Sequence, residues 1–467
     1  MAVFQKKSIP IREKRLNTIS AYQGSAADLL REFDGPEGAQ QRIRIFSETH
    51  ADDVLQVLQR FSALPDTGLV IHGPRGCAAA LLNGGNKQPW VVSNLAERDT
   101  IMGGEESLRD AIVALYNRHH PSLILVITTP VVAINNDDVA AVTLELSEEL
   151  EARIVPVYTD GFRSQAAIGG SDTALYALLK QLPPAHKQAA ANTVQVLALD
   201  EQPADLTEIR RLLALLGIPA VIVPQERGWA GVEAAAGAVA IALNRDETDF
   251  LGQALQEAWQ TKYLQAAPPV GINGTYRWLA ALGEAFGVSD AVEALHRAEA
   301  AALQPVVNNS SLRHKTVYLS LPPAIAWRTA ELVEELGGRL AGLTVEHVDE
   351  LHRQELSALA ARRPDLPVQV GAGQVFEEVN LLHRHAPELY IGRADGAQWA
   401  ARLGVAAVAL ERTPLLGYQG AVTLERQARK ALANPAFVRT LGTYRGTAYK
   451  DGWYQKKANW HIKLEVK

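Results

Sequence analysis

One cysteine and two methionines stand in a chain of 467 residues, and that scarcity sets the first limits. A single thiol excludes an internal disulfide, and it excludes a metal centre held by four cysteines of this chain alone. No apolar run approaches the ~20 residues that a membrane-spanning helix requires. The formal net charge is only −6, too little for this length to argue for nucleic acid or an anionic membrane as partner. The chain has no Gly-x-x-x-x-Gly-Lys-Ser/Thr loop, no His-Glu-x-x-His and no Gly-x-Ser-x-Gly. The usual signatures of nucleotide hydrolysis, zinc proteolysis and serine hydrolysis are therefore missing. The opening Met1-Ala2-Val3-Phe4-Gln5-Lys6-Lys7-Ser8 lacks the apolar stretch and small-residue cleavage site of a secretory leader, so a cytoplasmic protein is expected.

What remains is an ordinary globular composition, 47% hydrophobic and 21% charged, long enough for about three domains. Apolar runs at Leu69–Ile71, Trp90–Val92, Leu123–Ile127, Ile154–Tyr158, Val194–Leu199, Ala220–Val223, Val317–Leu321, Leu340–Val345, Val368–Val370, Leu389–Ile391 and Ala406–Leu410 alternate with helical stretches. Most are continuous rather than alternating, the pattern of strands buried on both faces of a parallel sheet. The segment 206–216 shows the matching helical face, with Ile209, Leu212, Leu213 and Leu216 on one side and Arg210 and Arg211 on the other. A long helical stretch with a break at Pro268-Pro269 is expected over 246–302. The expected fold is α/β, three doubly wound Rossmann-like domains with parallel sheets around a central cleft. The divisions are an N-terminal arm plus first domain at 1–185, a second domain at 186–312 and a third at 313–440. The stretch 182–187 reads as a linker. An aromatic tail at 441–467 is expected to pack on another domain or subunit.

Cys77 ends the segment His72-Gly73-Pro74-Arg75-Gly76-Cys77, which follows a buried strand and precedes the apolar run Ala78–Leu82. Read as strand, tight turn and helix start, it places the thiol in a helix first turn, where the dipole favours thiolate. A lone cysteine in an arbitrary protein is more often a small buried hydrophobe. Other motifs read as structure. Gly371-Ala372-Gly373 after a strand is half of a dinucleotide fingerprint, with Phe376 where the third glycine would fall, and a plain turn is expected. His119-His120, and His383 with His385, sit at helix ends, where capping is expected. Glu105-Glu106 reads as the first turn of a helix, and Asn135-Asn136-Asp137-Asp138 as a turn with an N-cap.

Taken together and in order, these segments resemble the nitrogenase component 1 family. The resemblance rests on His72–Cys77, then Glu97-Arg98-Asp99-Thr100-Ile101-Met102-Gly103-Gly104-Glu105, then Thr128-Thr129-Pro130 through Asp138. It continues with Val155-Pro156-Val157-Tyr158-Thr159-Asp160-Gly161-Phe162, Gly271-Ile272-Asn273-Gly274-Thr275 and Leu416-Gly417-Tyr418-Gln419-Gly420-Ala421. The resemblance implies that Cys77 is a metal ligand, with Gly73 and Gly76 letting backbone approach an iron–sulfur cluster shared with a homologous partner subunit. It implies a heterodimer or heterotetramer served by an ATP-dependent iron protein, with no nucleic acid and no membrane. The departures shape the expectation. The family's other interface cysteines fall near Leu16–Ser20 and Thr128-Thr129, where no thiol stands. The middle-domain cysteine and the histidine before the Gly-Tyr-x-Gly segment, which hold the active-site cofactor in nitrogenase, are also missing. A 4Fe-4S cluster is therefore expected in preference to a full P-cluster. The expected function is an oxidoreductase subunit in which that cluster relays electrons to a substrate. Two alternatives stay open: a cofactor-maturation scaffold subunit, and a non-catalytic structural partner. A homodimer pooling two Cys77 residues is a further arrangement.

Overall fold

The computed structural model describes residues 18–35, 42–43, 51–78, 88–161, 169–181, 190–234, 237–371, 374–410, 413–445, 449–458 and 463–464. The expected helix start at Ala79–Leu82, the linker at 182–187, and Ala372 and Gly373 lie outside them. The strands in chain order are β1 (Tyr22–Ser25), β2 (Arg42–Ile43), β3 (Thr67–His72), β4 (Trp90–Val92), β5 (Leu123–Thr128), β6 (Arg153–Val157), β7 (Ala190–Ala198) and β8 (Ala220–Pro224). They continue as β9 (Gly237–Ala242), β10 (Lys262–Leu264), β11 (Thr316–Ser320), β12 (Arg339–Val345), β13 (Pro367–Val370), β14 (Leu389–Gly392), β15 (Ala406–Ala409) and β16 (Lys463–Leu464).

Three larger sheets carry the molecule, each flanked by helices as in Rossmann-like folds. The first runs β4-β3-β5-β6 and the second β10-β9-β7-β8, both wholly parallel. The third runs β1-β13-β12-β11-β14-β15, parallel except for β1, which pairs antiparallel with β13 from Tyr22↔Val370 to Ser25↔Pro367. A two-stranded β16-β2 ribbon completes the set.

The continuous apolar runs have the physical cause inferred from them. In the first sheet Leu69, Ile71, Leu125 and Ile127 face the helices Asp53–Phe61 and Gly170–Leu179. Val70, Ile124 and Val126 face Glu105–His119 and Val139–Glu149 on the other side. Each such fully buried Leu or Ile side chain contributes about 1.5–3 kcal/mol of hydrophobic stabilisation before chain entropy is subtracted. Helix ends obey local rules too. Glu105 and Glu106 open their helix, His120 closes it in the left-handed conformation, and Asp138 caps the helix Val139–Glu149 by accepting from the Ala141 amide at 3.0 Å. The 246–302 stretch is not one helical element. It holds the helix Arg245–Trp259, then β10, then Ile272–Phe286 and Ser289–Asn308.

In each sheet the strand order reverses at one place: β3/β5, β7/β9 and β11/β14. Crevices at the carboxyl ends of strands near such reversals are where open α/β sheets bind ligands. Among the described residues no helix is long and apolar enough to cross a membrane.

Candidate functional site

Two constellations occupy strand carboxyl ends. The first gathers the motif residues of the first sheet. His72 ends β3 fully buried, its Nδ1 2.9 Å from Ser93 Oγ and its Nε2 3.2 Å from Asp137 Oδ2. Ser93 Oγ also accepts from the Gly73 amide at 2.9 Å, and the Thr129 hydroxyl donates to the His72 carbonyl at 2.9 Å. Burial lowers the His72 pKa to about 4, so the ring is neutral. Gly73 is required by close approach, since a Cβ there would lie 2.0 Å from Thr129 Oγ1. Gly104 is required too: its Cβ would meet Asp137 Oδ2 at 2.8 Å and His72 Cε1 at 3.0 Å. Segments 72–77, 103–105 and 135–138, far apart in sequence, are thus brought together. A cleft of about 760 Å³ opens nearby at the ends of β5 and β6, lined in part by Thr128, Asn136, Asp137, Tyr158, Thr159 and Lys180.

Cys77 lies in a short turn, and the helix expected beyond Ala78 falls outside the described residues. Arg75–Ala78 forms a single 3-10 turn, and the Cys77 amide is used within it, donating to the Pro74 carbonyl at 3.0 Å. The thiol is half-buried against the first-sheet core. Burial pushes its pKa up and the Asp52 carboxylate adds to this, outweighing a hydrogen bond with Thr129. Desolvation therefore favours the thiol over the thiolate. At Gly76 a Cβ would meet nothing.

The second constellation joins the second and third sheets and was not anticipated. Asp246 lies in the first turn of the helix that follows β9, after the cap residue Asn244, whose side chain accepts from the Asp246 amide at 3.1 Å. Its Oδ2 accepts from the Ala324 amide at 3.0 Å, in the first turn of Pro323–Glu335 after β11. Two helix amino ends thus address one carboxylate. From the end of β12 come His347, Asp349 and His352. Val348 is pinned by reciprocal backbone bonds to Ile19 of 2.8 and 2.9 Å, so its neighbours His347 and Asp349 share the opposite side. Asp349 then caps the short turn Glu350–His352, accepting from the Leu351 amide at 3.0 Å.

All four side chains are buried, and one potential ligand atom from each lies within 4.8 Å of the others. His352 Nε2 is 2.9 Å from Asp246 Oδ1, and its Nδ1 is 3.0 Å from Asp349 Oδ1. His347 Nε2 approaches the same Asp246 oxygen at 3.7 Å and, although buried, has no hydrogen-bond partner. Burial works against charge on His352, but Asp246 first and Asp349 next outweigh it and push its pKa up to about 10. In the same way burial opposes ionisation of Asp246, and the His352 charge nonetheless holds its carboxyl well below the usual range. The group is a candidate metal-coordinating cluster of carboxylate oxygen and imidazole nitrogen, with no sulfur in it. The spacing His347-x-Asp349-x-x-His352 was readable in the sequence. Asp246, contributed by another sheet, was not.

Comparison with known proteins follows the same lines. The family model described as "Nitrogenase component 1 type Oxidoreductase" matches residues 59–433. The cofactor biosynthesis protein NifE of Methanococcus maripaludis is 23% identical over 393 residues, covering 80% of this chain and 81% of its own. NifE of Klebsiella pneumoniae is 24% identical over 408 residues, covering 81% and 88%. The nitrogenase molybdenum-iron protein alpha chain of Methanothermobacter marburgensis is 22% identical over 415 residues, covering 80% and 85%. Nitrogenase Cp1, solved at pH 5, superposes with a TM-score of 0.75 at 17% identity over 93% of this chain and 97% of that one, a likeness of fold.

One expectation is overturned. The sole thiol stands outside the candidate metal cluster, which is built from aspartate and histidine, and relatives from several organisms are named for cofactor biosynthesis. An oxidoreductase subunit that relays electrons through a Cys77-ligated iron–sulfur cluster does not fit these findings. The fold, the order of the motif segments and the match over most of the chain nevertheless agree, and the protein belongs to the nitrogenase component 1 type oxidoreductase family.

Proposed function

We propose that this chain is one subunit of a cofactor-maturation scaffold, a protein that holds a metal cofactor or its precursor during assembly rather than turning over a small substrate. The observation that carries the reading is chemical. The chain has one thiol, and that one is half-buried, so it supplies no set of thiolates for a resident redox cluster. The naming of several relatives as iron-molybdenum cofactor biosynthesis proteins supports the same role.

In this reading the cluster is cargo. A homologous second subunit supplies most of its contacts, and an ATP-dependent iron protein visits the complex. The Gly73–Cys77 turn is assigned to the face that meets the cargo, because Gly76 opens onto free space at the carboxyl end of the first sheet. The test is to co-express the chain with a homologous second subunit and assay the purified complex. Transfer of its bound metal species to a nitrogenase lacking cofactor, with recovery of that enzyme's activity, is the expected result. Sustained ATP-dependent substrate reduction by the complex itself, without transfer, would overturn the proposal.

A further inference from the structure

We propose that Asp246, His347 and His352, braced by Asp349, bind one first-row divalent transition-metal ion at the seam between the second and third sheets. Both Nε2 atoms address the same oxygen, Asp246 Oδ1, at 2.9 and 3.7 Å. Ligand atoms around an ion with bonds of roughly 2.0–2.2 Å sit about 3.3–3.5 Å apart. The His347 contact, at 3.7 Å, would have to close by about 0.3 Å, and the His352 contact, at 2.9 Å, to open by about half an ångström. His347 supplies the independent sign: its Nε2 is buried, aimed at this point, and without a hydrogen-bond partner, 3.7 Å from Asp246 Oδ1. A buried ring nitrogen left without a partner is costly unless something unseen completes it. The Asp349 carboxylate behind His352 Nδ1, at 3.0 Å, is the arrangement that fixes ring orientation for metal-bound imidazoles.

The donor chemistry narrows the ion. Two imidazole nitrogens and one carboxylate suit Zn²⁺, Fe²⁺ or Co²⁺, whereas Ca²⁺ and Mg²⁺ prefer all-oxygen sites. The negative charges of Asp246 and Asp349 together match a divalent ion. Because Asp246 follows β9 and the other three follow β12, a bound ion would tie two sheets through a single atom. The inference concerns the chain itself and does not depend on the scaffold reading.

The full-length chain is stripped with chelator, desalted and titrated with Zn²⁺ and with Co²⁺, using Ca²⁺ as control. One equivalent of Zn²⁺ is expected to bind and raise the melting temperature, Co²⁺ to give visible d–d bands at one equivalent, and Ca²⁺ to do neither. His347→Gln removes a ligand whose Nε2 has no hydrogen-bond partner and stands 3.7 Å from Asp246 Oδ1, so the metal-free melting temperature should shift only slightly while Zn²⁺ affinity falls at least tenfold. Asp349→Asn, which spares the ligands, should weaken binding by about 10–100-fold. Absence of stoichiometric Zn²⁺ and Co²⁺ binding by the folded chain overturns the proposal, as does wild-type affinity in His347→Gln. Either result leaves the group as a buried ion pair only.

Discussion

The turn around Cys77 and the cluster around Asp246 occupy equivalent places, both at strand carboxyl ends, yet they are built in opposite ways. The turn is continuous in sequence, holds one thiol, and is shaped by glycine packing against Thr129. The cluster is assembled from two sheets, holds two carboxylates and two imidazoles, and is shaped by charge in a buried setting. A residue that stands out in a sequence advertises geometry, since glycines and a lone cysteine are conspicuous. The chemistry that stands out in space is written in common residues at unremarkable positions.

Four perturbations sharpen or break that contrast. The largest effect is expected for Asp246→Ala in metal-free protein, which leaves the His352 charge buried without its nearest partner. A loss of about 3–5 kcal/mol in urea-denaturation stability is expected. A loss below about 1 kcal/mol would show that the cluster is not charged, and the contrast would fail. Next comes acid. Because burial lowers the His72 pKa from 6.5 to about 4, the unfolded ring binds a proton as pH falls below 6.5 while the folded ring does not. Its contribution to stability is therefore full above pH 6.5 and is lost as pH falls from 6.5 towards 4, by an amount of order 3 kcal/mol. His72→Gln should flatten that slope in denaturation midpoints measured across the window, and an unchanged slope would assign it elsewhere. Third, Gly73→Ala should cost about 1–3 kcal/mol by forcing Cβ into Thr129, whereas Gly76→Ala should leave the urea midpoint nearly unmoved. Smallest is Cys77→Ala, expected to change stability by about 1 kcal/mol or less. A large loss there would make the thiol a main support of the turn.

Much of the architecture was legible because double-sided burial leaves a simple mark. Runs such as Leu123–Ile127 and Leu389–Ile391 cannot face water on either side, and they lie in β5 and β14. β9 escaped notice because Gly237-Ala238-Val239-Ala240-Ile241-Ala242 is mostly small residues that suit a helix equally well. β10 was hidden inside a stretch with helical spacing on both sides. β1 could not be read at all: Tyr22-Gln23-Gly24-Ser25 has no strand pattern of its own, and its partner β13 lies far along the chain at Pro367–Val370. The candidate site divides the same way. Segments 72–77, 103–105 and 135–138 were singled out, and the structure joins them. At Cys77, burial and the Asp52 charge push the thiol pKa up, which the local sequence does not reveal. Asp246 was invisible because nothing local distinguishes it from any acidic residue opening a helix.

β1 carries one more consequence. The third sheet borrows its outermost strand from a segment synthesised before either of the other sheets exists, so a fragment beginning near β11 would present β13 with bare amides and carbonyls along one side. Such a piece should stick to its own copies through that open border. During synthesis the early segment must wait, unpaired, until Pro367–Val370 has emerged, and pairing across so long a separation is intrinsically slow.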